Sequence, residues 1–135
     1  MSSEFADSNV LIYAFSRDRR NVPALRLLQT GPTISVQGLN EFVNVGRRKL
    51  HLSWSELRDA LDSVRALCPT VMEIGIATHE EALRIAERYG YSIYDSMAMA
   101  SALQAGCETF WSEDLQHGMV IDDRLRIANP FRTED

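Results

Sequence analysis

Apolar residues in this chain come in short bursts, alternating with longer stretches where they recur at helical spacing. Residues 4–8 read as a short strand that carries Asp7 at its end, and residues 10–15 as a helical turn or short helix. Pro23 suits the first turn of a helix reaching about Gln29, with Gly31 just beyond it. Thr33-Ile34-Ser35-Val36 is a brief β-branched strand. Leu39, Phe42, Val43 and Gly46 then predict a helix ending near His51, with Glu41 in its first turn or two.

Ser53-Trp54-Ser55-Glu56 has the form of a capping box opening a helix to about Leu67, stopped by Pro69. Residues 71–74 are strand-like. Thr78-His79-Glu80-Glu81 predicts a second capping box, its helix closed by Gly90. Ser92-Ile93-Tyr94-Asp95 predicts a third, leading into the small-residue run Met97-Ala98-Met99-Ala100-Ser101-Ala102 and a stop at Gly106. Residues 109–111 and 119–121 are expected to be the last buried strands. Short strands alternating with longer helices indicate an α/β sandwich around a mostly parallel sheet. With no repeat or linker in sight, residues 1–135 are expected to form one domain.

Four acids punctuate this pattern where apolar segments end: Asp7, Glu41, Asp95 and Asp114. In open parallel sheets ligands bind beyond the carboxyl ends of the strands. Asp7 and Asp114 follow strands directly, while Glu41 and Asp95 sit near helix starts that face the same edge. The predicted order therefore brings all four to one rim. Two like charges about 4 Å apart repel by roughly 4 kcal/mol at an effective dielectric near 20. Four unpaired carboxylates need protons or a cation. Oxygen donors with no accompanying His or Cys cluster favour Mg²⁺ or Mn²⁺ over zinc. Each acid also has a plain structural reading: Asp7 and Asp95 as helix caps, Glu41 as a solvated first-turn acid, Asp114 as a turn residue. Ser8, Asn9 and Ser112 flank the acids and could orient carboxylates or waters. His117, before Gly118, reads as a loop residue, and His51 and His79 as helix-terminal ones.

Composition narrows the classes. A 45% hydrophobic, 24% charged chain of 135 residues can bury a core, and no apolar run approaches a membrane span. Met1-Ser2-Ser3-Glu4 lacks a signal-peptide pattern, so a cytoplasmic location is expected, with Cys68 and Cys107 as buried free thiols. The net charge of −5 argues against coating nucleic acid by bulk electrostatics, but not against a nuclease. Local basic clusters remain at Arg17, Arg19 and Arg20, at Arg47, Arg48 and Lys49, and at Arg124 and Arg126. Trp54, Leu57, Leu61, Val64 and Leu67 stripe one helix, for the core or for a partner helix laid in a groove.

The four acidic motifs, in order along nearly the whole chain, resemble the PIN-domain ribonucleases and specifically the VapC-type toxins of type II toxin–antitoxin systems. The matching segments are Asp7-Ser8-Asn9-Val10-Leu11-Ile12-Tyr13, Leu39-Asn40-Glu41-Phe42, Tyr94-Asp95-Ser96-Met97, and Ser112-Glu113-Asp114-Leu115. The resemblance implies a three-layer α/β/α fold and a Mg²⁺- or Mn²⁺-dependent endoribonuclease leaving 5′-phosphate and 3′-hydroxyl ends. It further implies a homodimer and an antitoxin that blocks the site. Asp7, Glu41, Asp95 and Asp114 would be catalytic and metal-binding, with Ser8, Asn9 and Ser112 supporting them. Some relatives carry a further acid just past the fourth, where this chain has Gln116, His117 and Gly118, which puts a second metal in question; Glu113 is expected to be an exposed neighbour. Two other classes stay open. An aspartyl-nucleophile phosphatase would want a second Asp where Asn9 stands. A catalytically silent binding module would keep the fold alone.

Overall fold

A computed structural model describes residues 3–132; Met1 and Ser2 of the N-terminal segment lie outside the described residues. The chain runs β1 (Glu4–Ala6), α1 (Ser8–Ala14), α2 (Asn21–Gln29), β2 (Ile34–Ser35), α3 (Val36–Arg48), α4 (Trp54–Leu67), β3 (Val71–Met72), α5 (Ile76–Tyr89), α6 (Ile93–Gln104), β4 (Thr109–Trp111), β5 (Val120–Ile121) and β6 (Leu125–Ala128). β1, β4 and β6 are parallel neighbours, and β5 returns antiparallel on β6. β2 pairs with β3 in parallel and meets β1 through a parallel bridge between Phe5 and Thr33. Thr33 both donates to Glu4 O (2.8 Å) and accepts from Ala6 N (2.9 Å). The strands therefore lie in the order β3-β2-β1-β4-β6-β5, mostly parallel.

Alternation along the strands builds the three layers. Phe5 and its register partner Phe110 stack at 5.3 Å on the α5/α6 face, with Ile127, Leu125 and Met99 around them. Ala6 and Trp111, one residue on, turn to the opposite face, where α1 to α4 contribute Leu11, Leu28, Phe42, Leu57 and Val64. Gly46 lets α3 and α4 close up: a Cβ there would stand 2.8 Å from a Leu57 methyl. The α4 stripe goes mainly inward: Leu57 and Val64 are buried, whereas Trp54 stays 57% exposed under the Arg47 guanidinium. Cys68 and Cys107 are buried and in no disulfide, and burial pushes the Cys68 thiol up to about 11.

Several expectations shift. The box from Ser53 to Glu56 forms with both reciprocal bonds, but the helix expected at Thr78 starts a turn earlier, at Ile76 behind Gly75. Thr78 is instead buried in that first turn, accepting from Gly75 N and donating its hydroxyl to Gln104 Oε1 (2.9 Å). The Thr33–Val36 strand shortens because Ser35 already caps α3, taking the Gly38 N–H. The largest omission is β6, an interior strand of the sheet. Asp122 and Asp123, both at positive φ (52° and 55°), make the tight turn into it, closed by Arg124 N on Ile121 O (3.0 Å). Two non-glycine residues in that conformation are strained, and the turn is held externally: Arg84 pairs with the Asp122 carboxylate, while the Tyr89 hydroxyl accepts from Asp122 N and donates to its side chain.

Candidate active site

Parallel strands put the ends of β1, β2 and β4 on one edge, and the site grows from there. Asp7 leaves β1 and caps α1, its Oδ1 accepting from Ser8 N (2.8 Å). The cap reading and the site reading thus describe the same residue. Its Oδ2 accepts from the Ser112 hydroxyl (3.0 Å), at the end of β4. Glu41, in the second turn of α3, accepts from the Ser8 hydroxyl (2.8 Å). Asp95 sits in the first turn of α6, where its backbone N–H bonds the Ser92 capping hydroxyl (3.1 Å). α6 leads into β4, so that first turn returns to the same edge.

Asn9 ties the fourth acid in. Its amide donates to Ser112 Oγ (3.0 Å) and to Asp114 Oδ2 (3.3 Å), and its carbonyl accepts from Glu113 N (3.3 Å). Ser112 Oγ also accepts from Asp114 N (3.3 Å). Ser8, Asn9 and Ser112 are all buried, and their polar atoms are spent on three of the acids, Asp7, Glu41 and Asp114, and on the turn that carries Asp114.

Burial raises the Asp7 carboxyl to about 7. Hydrogen bonds from Ser8 and Ser112 pull it down, and the negative charges of Glu41 and Asp95 push it further up. Asp7, Glu41 and Asp95 are therefore one electrostatic group. Asp114 is exposed and joins through Asn9 and Ser112. Among the described residues no Lys, Arg or His makes a salt bridge to any of the four. Among the described residues, too, no three acidic, His or Cys side chains stand close enough together to hold an ion by themselves. The donor set nonetheless fits Mg²⁺ or Mn²⁺: it is all oxygen, carries uncompensated negative charge, and Mg²⁺ usually takes one or two carboxylates and keeps several waters.

Glu113 departs from its expected role as an exposed neighbour. It is half-buried, accepts from the Tyr13 hydroxyl (3.0 Å), and is paired with Arg20 Nε (2.5 Å). Arg20 also lies over the Tyr13 ring at 4.9 Å and donates to both oxygens of Asp18. Asn9 and Tyr13, four residues apart on α1, thus grip the 112–114 turn by its backbone and by its side chain; that i,i+4 pairing was the available sequence signal. Glu113→Ala is expected to cost about 1 kcal/mol, and a double-mutant cycle with Arg20→Ala to give a coupling of about 0.5–1 kcal/mol in urea melts. A coupling near zero would show that the pair does not brace the turn. His117 is a loop residue, its Nδ1 accepting from Asn129 N (3.0 Å), so it anchors the end of β6.

An open, mostly parallel α/β sandwich with an acidic rim over its strand ends defines the class. The model of the PIN domain matches residues 5–118, and the chain belongs to that family. No curated protein sequence matches it. Among solved structures, a toxin–antitoxin complex from Klebsiella pneumoniae includes a chain with TM-score 0.72 and 20% identity, covering 96% of this chain and 99% of its own. VapC20 of Mycobacterium tuberculosis, a sarcin–ricin loop cleaving toxin, aligns with TM-score 0.60 and 19% identity over 79% and 86%. VapBC2 from Rickettsia felis, bound to a DNA fragment from its promoter, aligns with TM-score 0.66 and 17% identity over 93% and 97%. At these identities the likeness is one of fold.

Proposed function

We propose that the chain is a divalent-metal-dependent endoribonuclease, acting as one PIN-like domain and forming the toxin half of a type II toxin–antitoxin pair. The observation that carries this is Asp7: a half-buried residue whose desolvated carboxyl has no cationic partner among the described residues and is pushed up further by Glu41 and Asp95, on the strand-end rim of a PIN fold. Asp7, Asp95 and Asp114 would hold Mg²⁺ or Mn²⁺ directly or through water, with Glu41 completing the cradle. Bound there, the cation would supply an acidified water and positive charge against the attacked phosphate. Ser112 fixes one Asp7 oxygen, Ser8 fixes Glu41, and Asn9 sets Asp114, so the oxygen donors are oriented before any ion arrives.

Neighbours of the same fold that form toxin–antitoxin complexes support an antitoxin as partner. A groove of about 410 Å³ between α3 and α4, with Leu39, Val43 and Leu61 flanked by Arg58, Asp62 and Arg65, suits an amphipathic helix. No helix among the described residues is long and apolar enough to cross a membrane; a cytoplasmic homodimer completes the reading.

The test is incubation with tRNA and rRNA fragments, with Mg²⁺, with Mn²⁺ and with EDTA. Cleavage that needs the metal and leaves 5′-phosphate ends is expected, whereas cleavage undiminished in EDTA would refute the assignment. The separation of the acids favours one second reading, a silent binding module. It predicts no cleavage and no heat of Mn²⁺ binding by calorimetry. The phosphatase reading loses ground, since the Asn9 amide is wholly engaged with Ser112, Asp114 and Glu113 and has no acidic proton to give.

A further inference from the structure

The basic residues around the rim divide into those already committed and those free to meet a ligand. Arg20 is held by Glu113 and Asp18. Arg47 donates to Leu52 O (3.0 Å) and lies over Trp54 at 4.6 Å. Arg17, between α1 and α2, and Lys49, which ends α3, are exposed, and their side chains make no hydrogen bond or ion pair with other described residues. These two line the same cleft. A cavity of about 520 Å³ bordered by Asn9 and Asp114 continues into one of about 460 Å³, and the two share Ser16, Arg17, Lys49 and Leu50. Asp18 also borders the first and Glu56 the second, but the Asp18 carboxylate is taken by Arg20 and that of Glu56 accepts from Ser53 N.

On the reading that the chain cuts RNA, we propose that Arg17 and Lys49 form a subsite for a backbone phosphate of the substrate strand flanking the one that is cut. Three features converge on this. The cleft opens at Asp114 and Asn9, so a strand lying in it is continuous with the acidic rim. Its two uncommitted cations complement a polyanion, and would offset the repulsion that the acids exert on the same strand. Its floor includes Ile12, Val45 and Leu50, an apolar surface for a base or ribose, and the volume is that of an ordinary small-ligand pocket. The subsite holds the strand and touches no reacting atom, so it governs binding and the position of the cut relative to the flanking nucleotide.

The experiment measures binding of a labelled single-stranded RNA of about ten nucleotides by fluorescence anisotropy in EDTA across a salt series. It compares wild type, Arg17→Ala, Lys49→Ala, the double variant, and the conservative Arg17→Lys. Arg124→Ala, which removes the same charge beside the cavity where β4 begins, is the control. Each single loss is expected to weaken binding about tenfold and to lower the salt slope by about 0.7, with the double variant additive. Arg17→Lys should retain most of the affinity, and Arg124→Ala should change it by less than about twofold. Cleavage of the same RNA with Mg²⁺ should show KM rising in the variants while kcat holds. Unchanged affinity in the double variant, or an equal loss in Arg124→Ala, overturns the subsite. Wild type that binds but never cuts refutes the nuclease and leaves the variants to decide the subsite, and wild type that does not bind RNA overturns both.

Discussion

Asp7→Asn is expected to abolish cleavage and at the same time to make the protein more stable at pH 8. Both effects come from one buried charge. The folded carboxyl sits at about 7, against an ordinary value of 3.8, and the first cause is burial. A gap of about 3 units corresponds to about 4 kcal/mol by which ionised Asp7 opposes folding above neutrality. Asn removes that charge and keeps an oxygen for the Ser8 N–H. What it gives up is the acceptor for the Ser112 hydroxyl, worth about 1 kcal/mol. Relief of the buried charge outweighs that lost bond, so urea melts at pH 8 should show a gain. Loss of about 4 kcal/mol of transition-state stabilisation is about a thousandfold in rate, and cleavage should fall by at least that much. Activity within tenfold of wild type would remove Asp7 from the chemistry; a large destabilisation at pH 8 would show that its cap and Ser112 bonds outweigh its charge.

The same residue explains what could be read in the sequence. Asp7, Asp95 and Asp114 stand at element boundaries and Glu41 in the second turn of α3, and strand ends and helix starts in a parallel β-α succession share an edge, so topology gathers them. Element order was legible for the same reason: Pro23, Gly90 and the Ser53–Glu56 box act locally, and local chemistry determined the outcome. β6 escaped because its turn is Asp122-Asp123 rather than a pair containing Gly, and because Arg126 interrupts its apolar run. The side chains that hold that turn, Arg84 and Tyr89, come more than thirty positions earlier. Thr78 misled for a related reason. Its capping-box pattern was locally sound, but Gln104 of α6 offered the buried Thr78 hydroxyl a partner and the helix began a turn earlier. Glu113 was misplaced because its partners, Tyr13 and Arg20, come from the other end of the chain. Nothing beside residue 113 marks that pairing; the i,i+4 spacing of Asn9 and Tyr13 on α1 is its one trace.

Those distant pairings also order the charges around the rim. Glu113 and Asp18 share Arg20 beside α1, and Glu81 and Asp122 share Arg84 far from it. Beside them stand the acidic group on the rim and two cations in the adjoining cleft, none of them in an ion pair among the described residues. A protein arranged this way holds latent charge at the place where a polyanion and a divalent cation would meet.

That latent charge should be measurable as a linkage between pH, metal and stability. Folded Asp7 keeps its proton to about pH 7, whereas in the unfolded chain it releases it near 3.8. Between those values the folded state binds more protons, so raising the pH destabilises it. The Asp7 penalty is absent below about pH 4, grows through pH 7 and is complete by pH 8, reaching about 4 kcal/mol. The melting temperature of the metal-free protein, minus that of Asp7→Asn, should therefore fall across this window. A divalent cation reverses the trend because it replaces the proton as counter-charge. At a concentration of about 100 Kd it adds about 2.7 kcal/mol, and its apparent affinity should drop as the pH falls below 7 and the proton competes. Calorimetric melts from pH 5 to 8, with Mn²⁺ and with EDTA, give both curves. If Mn²⁺ stabilises Asp7→Asn as strongly as wild type, the ion is bound elsewhere; if the wild-type difference curve is flat, Asp7 is already ionised and compensated in the folded chain, and the electrostatic case for a metal on this rim falls.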